Sequence, residues 1–406
     1  MNYPNSIFKK VHIDIQKNEY VLGKIVAFLS DLTNIPALPG FRSAMSSKQI
    51  ASGIQAILAL QGNVISIENI EQILDGKSIP QGRKFQEEEV RKIVSIRERI
   101  FREIVIENKP PFITPEYIKK LHLLATLGEE NSNVKNNSEE LDEWLNKFCE
   151  FLEKGTSENR PESKTTDLVK AILVQVYFDW MQPFGPDSIK TSHLLGLVFM
   201  LKAGIPYSAT YILPVFYNET KTEHVNRMEL VTKQEDMSTF LEYALLGFSD
   251  GLESTIRASL AQQFLITWHY FVNAELSNGE NAGTKVTDRR AGLMKAIPLT
   301  IDNGLSFEQI LVLNPGIARA YAKRTKTARR DLAALLELGL LVKRKRKYYP
   351  NVISLMGEMA GNTTLLKIEF SGKKEVQYSH TVMPVVSSLE LKSELLKLLG
   401  KLEPEE

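Results

Sequence analysis

The sequence has a single cysteine, Cys149, and no apolar run long enough to cross a membrane. One cysteine excludes an internal disulfide framework and a cysteine-rich zinc site. The longest apolar-rich stretch, around Leu194–Met200, is interrupted by Lys202, and the first residues lack the apolar core of a signal peptide. These absences predict a cytoplasmic protein with no membrane partner.

A large excess of charge of one sign is also missing, since the net charge is +1 over 406 residues. The charge is nevertheless unevenly distributed along the chain. Between Arg319 and Lys347 there are eleven Lys or Arg residues and only two acidic ones, Asp331 and Glu337. A charged partner responds to the local potential rather than to the total, so this segment predicts an anionic partner.

Apolar residues three and four positions apart predict a mainly α fold over roughly the first 270 residues. The segments with this spacing are Glu19–Thr33, Ser46–Leu60, Ile67–Leu74, Glu87–Glu107, Pro115–Ala125, Glu139–Glu153, Thr165–Met181 and about Ser188–Ala203. The polar segment 275–287, twice interrupted by glycine, predicts a domain linker. Near the C-terminus, a strand at Leu365–Phe370 and a helix at Ser388–Lys401 are predicted.

The segment Trp180–Leu195 resembles the catalytic loop of the Fic (Fido) family, whose members transfer AMP to hydroxyl groups of target proteins. The family pattern is H-P-F-x-D-G-N-G-R-x-x-R, and Pro183 and Phe184 match it. Residues 166–181 and 193–201 resemble the two helices that flank that loop. The resemblance implies an N-terminal helical region with an inhibitory-type helix at 1–100, a Fic-like domain at 101–274, the linker, a winged helix at 288–350 and an extension at 351–406.

The residues that would carry the chemistry depart from this pattern. Gln182 replaces the base histidine, and an amide has no proton affinity near neutral pH. Pro186 replaces the metal-binding aspartate and has no ligand atom in its side chain. Asp187-Ser188-Ile189 replaces the glycine-rich phosphate cradle, and Lys190 and His193 replace two arginines. The loop therefore predicts a pseudoenzyme with no resident metal or cofactor.

Two further segments also depart from the pattern of an active Fic protein. Gln61-Gly62-Asn63 resembles the E-G-N of the family's inhibitory helix with the glutamate lost, although a plain helix C-cap fits these residues equally well. Residues 129–138 form a short polar connection, which predicts that the target-docking hairpin is missing. Before this connection, His122 is predicted to be a packed helix residue.

Residues 305–349 resemble a winged helix-turn-helix of the T-A-x-R-D-L type. A short helix with Ser306 as its N-cap is followed by a turn at Asn314–Gly316 and a helix that Thr325 or Thr327 caps. Gly339 ends that helix, and a basic hairpin turn leads to Tyr348 and Tyr349. The resemblance implies DNA contacts from the second helix and from the hairpin. The candidate residues are Lys326, Arg329, Arg330, Lys343, Arg344, Lys345, Arg346 and Lys347.

The leading hypothesis is a Fic-like protein that has lost AMP transfer and binds duplex DNA as a regulator. One alternative is an active nucleotidyl or phosphoryl transferase with a rearranged loop, in which Asp187 acts either as the base or as a ligand of the metal in an ATP–magnesium complex. In that case Ser188, Lys190 and His193 would bind the phosphates. A second alternative is an antitoxin-like scaffold whose partner is another protein or a second copy of the chain.

Overall fold

A computed structural model describes residues 13–35, 39–79, 83–127, 139–154, 164–277, 283–299, 304–322 and 324–352. The predicted mainly α architecture with one small β-hairpin is confirmed. The polar connection 129–138, the predicted strand Leu365–Phe370 and the predicted helix Ser388–Lys401 lie outside the described residues.

The chain divides into two compact units, Met1–Ile256 and Arg257–Glu406. The helices that begin in the first unit are α1 (Glu19–Asn34), α2 (Pro39–Leu60), α3 (Ile67–Leu74), α4 (Lys84–Phe101), α5 (Pro115–Leu127), α6 (Glu139–Lys154), α7 (Lys164–Met181), α8 (Ser188–Lys202), α9 (Ile212–Glu219), α10 (Lys221–Gln234) and α11 (Ser238–Ser277). A π-helical turn, Arg102–Ile106, continues α4, and short 3₁₀ turns lie at Gln16–Asn18, Gly185–Asp187 and Tyr207–Tyr211. The division between the units falls inside α11.

The core of the first unit is centred on the antiparallel neighbours α7 and α8, which the loop at 182–187 connects. The two helices approach closely because Gly196 has no side chain. A Cβ there would lie 3.1 Å from the Gln175 Nε2 and 3.4 Å from the Ala171 carbonyl oxygen. A second close approach occurs at Gly53 in α2, where a Cβ would lie 2.1 Å from the ring of Tyr211. Both glycines therefore fix helix spacing around the loop.

The second unit has its own apolar core, which contains Trp268, Leu293, Leu332 and Leu341. Its further elements are α12 (Lys285–Ala296), α13 (Phe307–Leu311), α14 (Pro315–Tyr321), α15 (Thr325–Glu337), β1 (Leu341–Arg344) and β2 (Lys347–Pro350). β1 and β2 are antiparallel, with Val342 opposite Tyr349, and Leu305 adds an isolated bridge to Tyr348. The predicted linker 275–287 includes the end of α11 and the start of α12, and the domain boundaries remain predictions.

The helix caps of the second unit correct two predictions. Ser306 caps α13 as predicted, in a capping box with Gln309. Asn314 does not belong to a plain turn, because its side chain accepts a 2.8 Å hydrogen bond from the Ile317 N–H and begins α14. Neither Thr325 nor Thr327 is the N-cap of α15: Arg324 occupies that position and makes no side-chain capping bond.

Candidate functional site

The loop between α7 and α8 is closed by its own backbone. The Gln182 N–H donates to the Phe178 carbonyl at 3.0 Å, and Gln182 takes a left-handed conformation with φ of 42°. The Phe184 N–H donates to the Ser188 hydroxyl at 2.9 Å. Gln182 is exposed at the end of α7, whereas Ser188 is buried at the start of α8. The Phe184 N–H is thus already bonded within the loop, and an anion would have to compete with the Ser188 oxygen for this donor.

An aromatic pair fills the space beside the first turn of α8. The Phe184 ring stacks on the His122 ring with centroids 4.0 Å apart and an angle of 8°. The His122 Nδ1 lies 3.0 Å from the Thr191 hydroxyl, and burial lowers the pKa of this imidazole. His122 is therefore a packed residue that links α5 to α8, as predicted.

Lys190 belongs to a buried charge network with α4. Its Nζ lies 3.0 Å from the Glu89 Oε2 and 3.3 Å from the Asp187 Oδ1, while the Lys92 Nζ donates to the Glu89 Oε1 at 2.9 Å. Burial alone would lower the pKa of Lys190 and raise that of Glu89. The hydrogen bonds and charges of the whole network, with Lys92 acting on Glu89 and Asp187 on Lys190, together outweigh burial, so the pKa of Lys190 is raised and that of Glu89 is lowered. Both groups stay ionised, and an internal carboxylate already neutralises Lys190.

His193 lies one turn further along α8 and is 6% exposed. Burial, followed by the nearby charge of Arg97, lowers the pKa of His193 to about 3. The imidazole is therefore neutral in the physiological pH range and does not replace the charge of an arginine. Its Nδ1 has no hydrogen-bond partner.

Lys190 and His193 line one cavity together with residues of α2, α4 and α5. The other lining residues are Ile57, Ile93, Ile96, Arg97, Ala125 and Leu194. The cavity is about 10 Å³, enough for one water-sized particle. Pockets for nucleotide-sized ligands measure about 300–1,000 Å³. A metal–nucleotide complex does not fit this arrangement of side chains, and Asp187 pairs with Lys190 instead of pointing to a free metal position.

Gln61 and Asn63 lie at the C-terminal end of α2 and end that helix. The Gly62 N–H donates to the Ala59 carbonyl and the Asn63 N–H to the Leu58 carbonyl, with Gly62 at a φ of 80°. The Asn63 side chain accepts a 3.2 Å hydrogen bond from Gln86. The Gln61 Nε2 has no hydrogen-bond partner, so it does not donate to His193. These bonds are those of a helix C-cap.

The sequence reasoning missed Glu89, Lys92 and Arg97, all on α4. Glu89 and Arg97 are buried, although they are charged. A signal was present, because Arg97 falls four residues after Ile93 on the apolar stripe of α4. A charged residue at such a core position indicates a buried polar contact, which the periodicity alone does not identify.

The basic helix–hairpin, defined here as α15, β1, β2 and their connecting residues (325–350), carries the second candidate site. The eight predicted DNA-contacting residues, Lys326, Arg329, Arg330, Lys343, Arg344, Lys345, Arg346 and Lys347, are all exposed. Three of these cations lie over aromatic rings: Arg329 over Phe307 at 5.2 Å, Lys343 over Tyr348 at 5.2 Å and Arg344 over Tyr349 at 5.8 Å. Charge and stacking surfaces thus occur together.

Asp331 also belongs to α15 but, unlike the basic residues of that helix, its side chain is buried and 1% exposed. It accepts hydrogen bonds from the Arg289 Nε at 2.6 Å, the Arg290 Nε at 3.1 Å and the Tyr321 hydroxyl at 3.0 Å. Burial would raise the pKa of Asp331, but the bonds from the two arginines outweigh burial and lower it. This carboxylate fixes α15 against α12 and α14 and adds no negative charge to the exposed surface.

The turn of the hairpin is formed by Lys345 and Arg346. The register pairs Arg344 with Lys347, which leaves these two residues as the loop. Lys345 has a φ of 56°, a left-handed conformation in which glycine, asparagine or aspartate is preferred. The chain thus keeps a lysine at a position where backbone energetics favour glycine.

Neither a membrane-spanning helix nor a metal cluster is found in the part of the chain that the structure describes. None of its helices is long and apolar enough to cross a membrane. No group of three His, Cys, Asp or Glu side chains within it is arranged to hold a metal ion.

Comparison with solved structures finds proteins of similar fold. No protein-family model matches the sequence, and no curated protein is significantly similar to it. The crystal structure of a Fic family protein from Desulfovibrio desulfuricans G20 at 2.70 Å resolution aligns with 81% of this chain and 95% of that chain. The identity is 15% and the TM-score is 0.43. Such a similarity assigns no role to any residue, so function has to rest on the chain's own side chains.

Proposed function

We propose that this chain is a Fic-like protein that has lost AMP transfer and binds duplex DNA through a winged helix formed by its second unit. The observation that carries the DNA-binding part is the exposure of all eight predicted cations on the basic helix–hairpin. The order of helix, three-residue connection, helix and antiparallel hairpin supports a winged helix, in which α15 would enter the major groove.

The surroundings of Gln182, Lys190 and His193 support the loss of transfer. A working site needs a base, a metal ligand and open donors for phosphate. Here Gln182 has no basic atom, Lys190 is neutralised by Glu89, and His193 is buried and uncharged. The cavity beside these residues has room for about one water.

A fluorescence anisotropy titration with a labelled duplex at several salt concentrations tests the DNA-binding part. Each phosphate contact contributes a slope of about −0.9 in the plot of log K against log salt concentration. We expect the triple variant Lys326→Ala, Arg329→Ala, Arg330→Ala to lose most of the affinity and to flatten the slope. A matched control is Lys233→Ala, which removes an exposed lysine paired with Glu229 on α10. Salt-insensitive binding, or equal losses in both variants, contradicts the proposal.

Incubation with α-labelled and γ-labelled ATP and either Mg²⁺ or Mn²⁺ tests the loss of transfer. We expect no label on the protein itself or on proteins of a lysate. Label that appears with the natural sequence and disappears in Asp187→Ala would overturn this part and favour the rearranged-loop enzyme. If DNA binding fails and a protein partner co-purifies in stoichiometric amount, the scaffold alternative replaces the proposal.

A further inference from the structure

Arg97 is a buried cation without an anionic partner. It is 1% exposed and lies in the apolar stripe of α4. Its Nη2 donates to the Thr210 hydroxyl at 2.8 Å, and its guanidinium lies 4.0 Å from the centroid of the Tyr211 ring. None of the ion pairs among the described residues involves Arg97. Buried guanidinium groups are normally paired with a carboxylate, because isolating such a charge from water costs several kcal/mol.

The same arginine lines the cavity and has a donor without a partner. Arg97 lines the cavity beside Lys190 and His193, and its Nε–H has no hydrogen-bond partner. The carboxylates nearby are already engaged, since Glu89 binds Lys190 and Lys92 and Asp179 lies 3.5 Å from His224. His193 also lines the cavity, and its Nδ1 has no hydrogen-bond partner.

We propose that Arg97 and this cavity form a buried binding site for one small inorganic anion of about the size of chloride. A halide would satisfy the open Nε–H and neutralise the guanidinium, whereas a water molecule would satisfy only the hydrogen bond. The volume of about 10 Å³ matches one water-sized particle, so a halide ion would enter with a small displacement of the lining side chains, and phosphate has no room while Glu89 remains on Lys190. This site does not depend on DNA binding, since Arg97 and the basic helix–hairpin belong to different units.

Crystals of the unmodified chain soaked in sodium bromide give the direct test. We expect an anomalous peak within hydrogen-bond distance of the Arg97 Nε. Water-like density at this position without anomalous signal overturns the proposal, because it shows that the cavity is only hydrated. The test needs no variant, so a folding defect cannot obscure it.

Thermal unfolding in solution gives the second test. The melting temperature of the natural sequence is compared in sodium chloride and in sodium gluconate, whose anion is too large for the cavity, at equal ionic strength. A chloride concentration tenfold above the dissociation constant should raise the melting temperature by about 4 °C.

The variant Arg97→Met should lose this difference, while Arg99→Met should keep it, because Arg99 is partly exposed and pairs with Glu103. Equal melting temperatures of the natural sequence in the two salts, or a chloride effect that persists in Arg97→Met, contradict the assignment. If Arg97→Met fails to fold, the bromide peak decides.

Discussion

Two groups of cations in this protein differ in what surrounds them. Lys190 and Arg97 lie inside the first unit, where Lys190 meets Glu89 and Arg97 meets hydroxyl and aromatic groups. The cations of the basic helix–hairpin are exposed, and the one carboxylate buried beneath them, Asp331, is bound to arginines of α12. The sign of the charge is the same in both groups, yet only the second group is exposed on the surface.

The difference shows why a motif position is not a binding site by itself. A lysine held by an internal carboxylate has to break that pair before it can bind a phosphate, and the pair is stronger where water is excluded. An exposed cation loses only hydration and counterions, and the release of counterions from DNA favours its binding. The placement of the carboxylates therefore separates an interior that is closed to phosphate groups from a surface that attracts them.

Removing the carboxylate beneath the basic surface should have the largest effect. We expect Asp331→Ala to destabilise the second unit by about 3 kcal/mol, because Arg289 and Arg290 would remain together without their anion. Hydrogen exchange of the α15 amides would measure the change, and DNA affinity should fall with it.

The exposed Glu337→Ala on the same helix is the control, with an expected change within about 0.5 kcal/mol. The pH dependence gives a second check on Asp331. Its pKa is lowered in the folded state, so its contribution is full above the ordinary pKa of 3.8 and is lost as the pH falls through the folded value. Equal stability of Asp331→Ala and the natural sequence at neutral pH would mean that the ion pairs of Asp331 with Arg289 and Arg290 contribute nothing to the free energy of unfolding.

The buried imidazole of the first unit should make that unit sensitive to acid. His193 has a pKa of about 3 when folded and an ordinary value of 6.5, so the unfolded chain binds its proton first as the pH falls. Stability is full above pH 6.5 and should fall by about 2 kcal/mol by about pH 5. Urea unfolding of the natural sequence and of His193→Asn should show this loss in the first and not in the second. His269→Asn, a change in the second unit, should leave it in place.

Removing the charge of Glu89 tests how much the ion pair inside the first unit contributes to stability. Glu89→Gln keeps the shape of the side chain but leaves Lys190 and Lys92 close together without their shared carboxylate. We expect a loss of about 1.5 kcal/mol, less than for Asp331→Ala because the glutamine amide oxygen can still accept a hydrogen bond from a lysine. Chemical denaturation measures the loss, and the neighbouring exposed Glu88→Gln serves as the control. A loss as small as that of Glu88→Gln would show that the network is not a source of stability.

The sequence predicted the helices well and their ends less well. The 3.6-residue spacing located Ile67–Leu74 to the residue and α8 to within one residue. Capping was less predictable, since a threonine can cap a helix only if its backbone lies outside the first turn. Thr325 and Thr327 both lie inside α15, and their spacing could not show this.

The two candidate sites also differ in how far the sequence could predict them. Exposure of the basic residues could be predicted, because a strong amphipathic pattern places Lys326, Arg329 and Arg330 opposite the buried leucines of α15. The contact between Lys190 and Glu89 could not be predicted, because Glu89 lies 101 residues earlier in the chain. Contacts of that range depend on how α4 packs against α8, which local spacing does not contain.

The smallest expected effect concerns Lys345 at the tip of the hairpin, where one substitution should raise the stability and lower the DNA affinity. Lys345→Gly should stabilise the hairpin by about 0.5 kcal/mol, because glycine adopts the left-handed conformation without strain. The same change should weaken DNA binding several-fold and lower the salt slope by about one contact. Lys345→Ala is the matched control, since it loses the charge but keeps the strain: affinity should fall equally, without the gain in stability. If DNA affinity is unchanged in both variants, Lys345 makes no phosphate contact, and the binding depends on the other cations of the basic helix–hairpin.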